Sequence, residues 1–334
     1  MTDAWILPDG VEEWLPPDSW AAEALRRELL DAYRQRGYGL VQTPIVEHLS
    51  TLLSGAGSDL EDQTFKFVDP ASGRLLGLRA DMTPQAARIA ARRYPDGEAA
   101  RLCYLGTVLR THPEVAGGAR AIRQAGCELF GEAGVEADLE ILDTMLQTLA
   151  IAGLEQVHLD LGHVGVYRSI VADLSLAEAD ESQLFEILQR KSQPDLSAFA
   201  RGRGLSEASA AALSALMAFS GSLDMLPAAR ERLAGYGEAV LDPIDSLQAI
   251  AARVRDAHPG VEIHLDLAEL RGYRYQTGLI FAAYAPGHGR EVARGGRYDG
   301  IGERYGRSLP ATGFSADLNE LLRLGSGNNT SSES

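Results

Sequence analysis

The sequence predicts an α+β fold, an antiparallel sheet flanked by helices. Three observations carry that expectation. Strand-like runs follow one another through short turns, as in "FKFVDPASGRLLGLRAD" and "GLIFAAYAPGHGREVARGGRYDG". Amphipathic helices stand apart from these hairpins. Neither a G-x-x-x-x-G-K-[ST] loop nor a strand–GxGxxG–helix unit occurs, which disfavours the doubly wound nucleotide folds.

The elements follow in order. "PPDSWAAEALRRELLDAYRQRGYG" predicts a helix capped by Asp18 or Ser19, with Leu25, Leu29, Ala32 and Tyr33 on one stripe and Gly37 as its stop. A strand from Tyr38 to Thr43 is cut by Pro44. After the first hairpin, "TPQAARIAARRY" is helical, with Pro84 in its first turn. "ARLCYLGTVLRT" and "RQAGCELFG" are strands joined by the loop "HPEVAGGAR". A helix spans residues 136–152, with Leu139, Leu142, Leu146 and Leu149 in phase. Two similar strands, "VHLDLG" at 157–162 and "IHLDLA" at 263–268, bracket an Ala/Leu-rich stretch with helical spacing. That stretch predicts a helical insertion over 175–256 in a core formed by 1–174 and 257–325. "GFSADLNELL" predicts a glycine–phenylalanine turn feeding a helix, with Leu318, Leu321 and Leu322 on one face. The polar tail, 326–334, is expected to be disordered.

Bulk properties exclude several functions. Lys and Arg number 31 against 47 Asp and Glu, a net charge of −16. A general nucleic-acid binder needs the opposite balance. Cys103 and Cys127 lie among apolar residues with no C-x-x-C pair, so reduced, buried thiols are expected. The seven histidines show no HxxxH or HExxH spacing, so no metal site and no cofactor are expected. No run is apolar enough to span a membrane, and "MTDAWILPDG" lacks the pattern of a secretory signal, which sets the expectation of a cytoplasmic protein.

Four polar stretches sit inside or beside strands: "LRADMT" (78–83), "VLRTHPEVAGGARAIRQAGCE" (108–128), "ELRGYRYQTG" (269–278) and "ARGGRYDG" (293–300). They supply Asp81, Thr83, Arg110, Gln124, Glu128, Arg271 and Tyr275. An amino acid calls for this mixture: a carboxylate for its ammonium, a guanidinium for its carboxylate, a polar partner for its side chain. Taken singly, each residue is better explained by an ion pair that steadies a loop, and only the combination points to an amino acid.

In order and over nearly the whole chain, these stretches resemble the class II histidyl-tRNA synthetase core. "LPDGVEEWLPP" resembles that family's opening, and "GYGLVQTPIVE" its dimerisation motif. "LRADMT" stands for Leu-Arg-Pro-Glu-Gly-Thr, and "YLGTVLRT…RAIRQAGCELFG" for the second class II motif. "LRGYRYQTG" and "GGRYDG" are similar to two segments peculiar to histidine recognition. The resemblance implies a class II synthetase-like fold and a histidine pocket. In it Asp81 and Thr83 hold the ammonium, Arg271 and Gln124 address the carboxylate, and Glu128 accepts an imidazole N–H; Arg110 occupies the place of an arginine that grips the α-phosphate.

The departures fall on the nucleotide. His112 replaces the adenine-facing glutamate, Asp317 the glycine that leaves room for ATP, and Glu320 the arginine that faces its phosphates. Near the imidazole, Gln276 and Arg274 replace a tyrosine and an aspartate. The expected fold is the synthetase-like core with no anticodon-binding domain. A core with these features resembles the regulatory-subunit family of the short-form ATP phosphoribosyltransferase. That resemblance implies a non-catalytic subunit of histidine biosynthesis. Its implied partners are the short-form catalytic subunit, a second copy of itself as a homodimer, and L-histidine as feedback effector, with no tRNA and no membrane. Two alternatives stay open from the residues: a truncated synthetase-like enzyme that adenylates an amino acid, and a free-standing histidine sensor.

Overall fold

The computed structural model describes residues 6–54, 58–95, 97–115, 117–273 and 275–329. Two expectations, the character of Arg274 and the tail beyond 329, fall on residues outside these. The chain folds as two compact units. One comprises Met1–Ala133, Glu140–Leu154 and Asp299–Ser334, the other Gly134–Leu139 and Glu155–Tyr298. This division runs along a different line from the 1–174 and 257–325 core with its 175–256 insertion, because strands on both sides of the helical stretch pack with it.

The first unit opens with helix α1 (Asp18–Gln35), which buries the stripe Leu25, Leu29, Ala32 and Tyr33. Neither Asp18 nor Ser19 caps it. Pro17 already has helical dihedrals, so winding begins one residue early and Asp18 becomes a first-turn acid that complements the helix dipole. The strand expected over 38–43 shrinks to β1 (Gly39–Leu40). The Arg79 guanidinium takes the Thr43 carbonyl and hydroxyl at 2.7 and 2.8 Å, which withdraws that residue from any ladder. Next come β2 (Val46–His48), α2 (Leu49–Leu52) and α3 (Ser58–Gln63). The hairpin β3 (Lys66–Val68) and β4 (Leu75–Leu78) forms as expected, with β2 added on the other side of β4. Asp69 closes its turn by accepting from Ala71 N and Ser72 Oγ. Helix α4 (Thr83–Arg93) carries Pro84 in its first turn. The long strands β5 (Ala100–Leu109) and β6 (Ala121–Phe130) pair antiparallel, and α5 (Val135–Ile151) follows. Cys103 lies opposite Cys127 in that register, and burial raises both thiols, Cys103 to about 11.

The second unit begins with β7 (Val157–His163) and α6 (Val164–Ala172). The expected helical stretch is α7 (Glu178–Gln189), α8 (Gln193–Arg203), α9 (Glu207–Ala218), α10 (Leu226–Leu233) and α11 (Glu238–Ala257). It is interrupted by the two-residue strand β8 (Ser220–Gly221). Strands β9 (Val261–Asp266), β10 (Leu279–Tyr284) and β11 (Glu291–Arg297) complete the unit, in the order β11-β10-β7-β9-β8. The two similar strands of the sequence, β7 and β9, pair parallel. Hence the strand pairing is mixed, with β7–β9 and β1–β5 parallel among antiparallel neighbours.

The chain then returns to the first unit as β12 (Ala311–Asp317) and α12 (Leu318–Asn329), giving that unit the order β1-β5-β6-β12. "GFSAD" is therefore strand, where a turn was expected. Gly313 and Phe314 pair with Glu128 and Cys127 of β6, and Phe314 is buried. The helix begins where expected and buries Leu318 and Leu321, but it runs on to Asn329, into the tail expected to be disordered.

His163 shows how burial and capping combine. Its Nδ1 accepts the Gly165 backbone N–H at 3.1 Å and caps α6, a role open only to the neutral ring. Burial, with the nearby Arg297 charge, lowers its pKa from 6.5 to about 4. A folded pKa below the unfolded one means stability that is present above pH 6.5 and lost as pH falls through 4. Denaturant titration of wild type and His163→Asn should show wild type losing up to about 3 kcal/mol more than the variant between pH 7 and pH 4. Parallel losses would contradict this assignment.

Candidate functional site

On β6 the residues Gln124, Gly126 and Glu128 share one face, because side chains alternate along a strand. Opposite them on β5 stand Gly106, Tyr104 and Leu102. A side chain at 126 would meet the Tyr104 hydroxyl at 2.6 Å, so glycine makes room for the tyrosine ring. The start of α4 brings Asp81, Met82 and Thr83 onto this face. Glu128, fully buried, accepts from Thr83 Oγ1 at 2.8 Å and from Tyr104 OH at 2.9 Å. Gln124 donates through Nε2 to Asp81 Oδ1 and accepts the Met82 backbone N–H through Oε1, both at 2.9 Å. Asp81 Oδ1 also accepts from Thr83 N. Asp81 Oδ2 takes no hydrogen bond from the described residues, which leaves it available to an outside donor. Burial, together with the charges of Glu128 and Asp81, pushes the Tyr104 hydroxyl well above its ordinary pKa, so it stays a donor.

Four expected residues, Asp81, Thr83, Gln124 and Glu128, thus meet in one network. Tyr104 belongs to it and was missed. Its signal was the strand period: Tyr104 falls on the same face as Gly106, as Gln124 and Glu128 do on the neighbouring strand. Arg110 is buried beside this network but engaged, with its guanidinium 2.5 Å from Glu114 and 3.4 Å from the Ala80 carbonyl. His112 lies exposed in the following loop, where its ring meets Thr111 Oγ1 at 3.0 Å.

Asp317 ends β12 directly opposite Gln124. Its carboxylate accepts the Asn319 backbone N–H at 3.0 Å, and Glu320 lies in the first turn of α12. Burial, with Glu320 adding negative charge, raises the Asp317 pKa from 3.8 to about 6. Asp81 is bonded to Gln124, Asp317 lies opposite that glutamine in the strand register, and Glu128 stands four residues along the same face of β6. Such a group attracts an ammonium and opposes a phosphate.

Arg271 and Tyr275 belong to the second unit. Their loop is held by side chains of α6 and α7. Tyr273 stacks on Phe185 at 4.7 Å and meets Tyr167 edge-on. Arg168 donates to the carbonyls of Tyr273 and Gln276, and Gln189 to that of Ala268. Tyr275 stacks on Tyr298 at 5.1 Å. Gln276, expected near an imidazole, presents its backbone carbonyl to Arg168. Arg271 forms a fork with Glu269 and donates to Tyr284 OH at 2.7 Å. Among the described residues no three His, Cys, Asp or Glu side chains are grouped to hold a metal, and no helix is long and apolar enough to cross a membrane.

The histidyl-tRNA synthetase family model matches residues 10–321. The ATP phosphoribosyltransferase regulatory subunit of Thioalkalivibrio sulfidiphilus is 50% identical over 326 residues, 97% of this chain and 82% of that protein. The chain belongs to the ATP phosphoribosyltransferase regulatory subunit family, on the histidyl-tRNA synthetase fold. A solved structure from Bacillus halodurans, described as an ATP phosphoribosyltransferase regulatory subunit/histidyl-tRNA synthetase, is similar with a TM-score of 0.83 at 25% identity, covering 97% of this chain and 84% of that one. The ATP phosphoribosyl transferase complex from Thermotoga maritima contains a chain with the same fold, TM-score 0.68 at 17% identity, with 92% and 98% covered.

Asp317 offers a test of the acidic environment. A carboxyl whose folded pKa is raised favours the native state most when protonated, and that advantage is lost as pH rises from 3.8 through 6. Asp317→Asn should therefore be more stable than wild type at pH 7.5 by up to about 3 kcal/mol, with the gain vanishing below pH 4. A variant less stable at pH 7.5 would show instead that the ionised carboxylate is needed.

Proposed function

We propose that this chain is the non-catalytic regulatory subunit of ATP phosphoribosyltransferase, acting in the cytoplasm in the first step of histidine biosynthesis. The short-form catalytic subunit is its partner and L-histidine its feedback effector. The observation that carries this reading is the 50% identity, over 97% of the chain, to a protein of that name. The chemistry around Glu128 supports it. Asp81 Oδ2 suits the ammonium of an amino acid, with Thr83 beside it. Glu128, held as an acceptor by two hydroxyls, suits an imidazole N–H. Arg110, Gln124, Arg271 and Tyr275 enter the set through the resemblance to histidyl-tRNA synthetases.

The same reading denies the chain adenylation chemistry. ATP would bring its phosphates toward the acids at 317 and 320, with no glutamate at 112 to meet its base. The helix α1 and the strand that follows it, similar to the class II dimerisation motif, support a homodimer in the isolated chain, the commonest closed symmetry.

Reconstitution tests the proposal. Adding the chain to the purified short-form catalytic subunit should raise phosphoribosyl transfer to ATP, and L-histidine should then inhibit it. The chain alone should give a dimer mass by light scattering and no histidine-dependent ATP–pyrophosphate exchange. An unaltered catalytic rate would remove the regulatory role. Pyrophosphate exchange would establish the adenylating alternative.

A further inference from the structure

The Arg271 guanidinium already holds a carboxylate. Its Nε lies 3.0 Å from Glu269 Oε1 and its Nη2 2.7 Å from Oε2, the two parallel bonds by which arginine binds a free carboxylate. Glu269 Oε1 also accepts the Arg271 backbone N–H at 2.8 Å. This arrangement is built into the fold. The Glu269 backbone N–H is fixed to the Asp266 carbonyl, and the side chain lies against Gly162 of β7. A Cβ at 162 would come within 2.6 Å of the Glu269 Cβ, so the absence of a side chain there gives the glutamate its seat. Glu269 is largely buried, its side chain 12% exposed.

The surroundings do not favour a second carboxylate. Asp160 lies 3.9 Å and Glu291 3.7 Å from the same guanidinium. Arg294 pairs with Glu291 at 3.1 Å. Among the described residues, the carboxylates of Glu269, Asp160 and Glu291 thus all lie within 4 Å of the Arg271 guanidinium. Tyr284 OH takes one N–H of Nη1, and the carboxylates nearest the other edge of the guanidinium are Glu291 beside Nη1 and Asp160 beside Nη2.

We propose that Glu269 occupies, from within the chain, the carboxylate-binding fork of Arg271, so that this arginine draws nothing from the carboxylate of a ligand. The inference rests on the reading of histidine as effector in naming the ligand, but its core statement concerns Arg271 alone. It separates Arg271 from the role that its motif implies.

Two titrations test this. In the first, wild type, Glu269→Gln and Glu269→Ala are titrated calorimetrically with L-histidine and with L-histidinol, which has a hydroxymethyl group in place of the carboxylate. Wild type should distinguish the two by less than about 5-fold, and either variant should bind histidine about 10-fold more tightly with histidinol unchanged, the scale of one charge-assisted hydrogen bond. A wild type that prefers histidine by about 100-fold or more would show the fork open to ligand and overturn the proposal. In the second, the Arg271 Nε–H resonance is followed during titration with acetate. It should stay fixed in wild type and shift saturably in Glu269→Gln; a saturable shift in wild type would overturn the proposal. If no protein binds histidine or histidinol, the effector reading fails, and the acetate titration still decides the role of Glu269.

Discussion

The buried Glu128 carboxylate is the constraint on which the first unit's site depends. An ionised carboxylate out of water is costly unless donors meet it. Here they come from two directions: Tyr104 from the neighbouring strand and Thr83 from the first turn of α4. Meeting that demand fixes where α4 begins relative to β5 and β6. It also explains Gly126, since the tyrosine can reach the carboxylate only over a residue without a side chain. Gln124 extends the same logic by tying Asp81 and the Met82 backbone to β6. Removing one member of such a network exposes the unmet demand of the others, so its parts are strongly interdependent.

Charge marks the same face. Asp81 and Glu128 lie on this face, Asp317 lies opposite Gln124 in the register, and Glu320 follows in the first turn of α12. A helix start of this kind would otherwise attract phosphate through its free N–H groups and dipole. Here the Asp317 carboxylate itself takes the Asn319 N–H. The histidyl-tRNA synthetase fold is kept, and in the proposed reading these acids oppose the phosphates of ATP. In the second unit Glu269 applies the same principle to Arg271, meeting a cation from within the chain.

Much of this was legible in the sequence because it depends on period and local chemistry. The stripe of α1, the two hairpins, the strands β5 and β6 and the helical stretch all follow from spacing and turn residues. Four of the network's residues were legible through motif resemblance. What escaped depends on partners distant in sequence. "GFSAD" carries glycine and serine, which suit a turn, yet pairing with β6 makes it strand. Thr43 has strand propensity, but Arg79, 36 residues later, takes its carbonyl. Tyr104 needed the register of β5 on β6 to be seen. Glu269 and Arg271 are only two residues apart, but the seat at Gly162 that joins them lies more than a hundred residues earlier.

The central claim is that this face of β6 reads an amino acid and refuses a nucleotide. Calorimetric titration of L-histidine and of ATP into wild type and Glu128→Gln tests it most directly. The account predicts saturable histidine binding by wild type and none by ATP at millimolar concentration. It also predicts that Glu128→Gln binds histidine about 10- to 100-fold more weakly, as expected for loss of a hydrogen bond to a charged acceptor. Saturable ATP binding below millimolar concentration, or histidine affinity unmoved by Glu128→Gln, would contradict it.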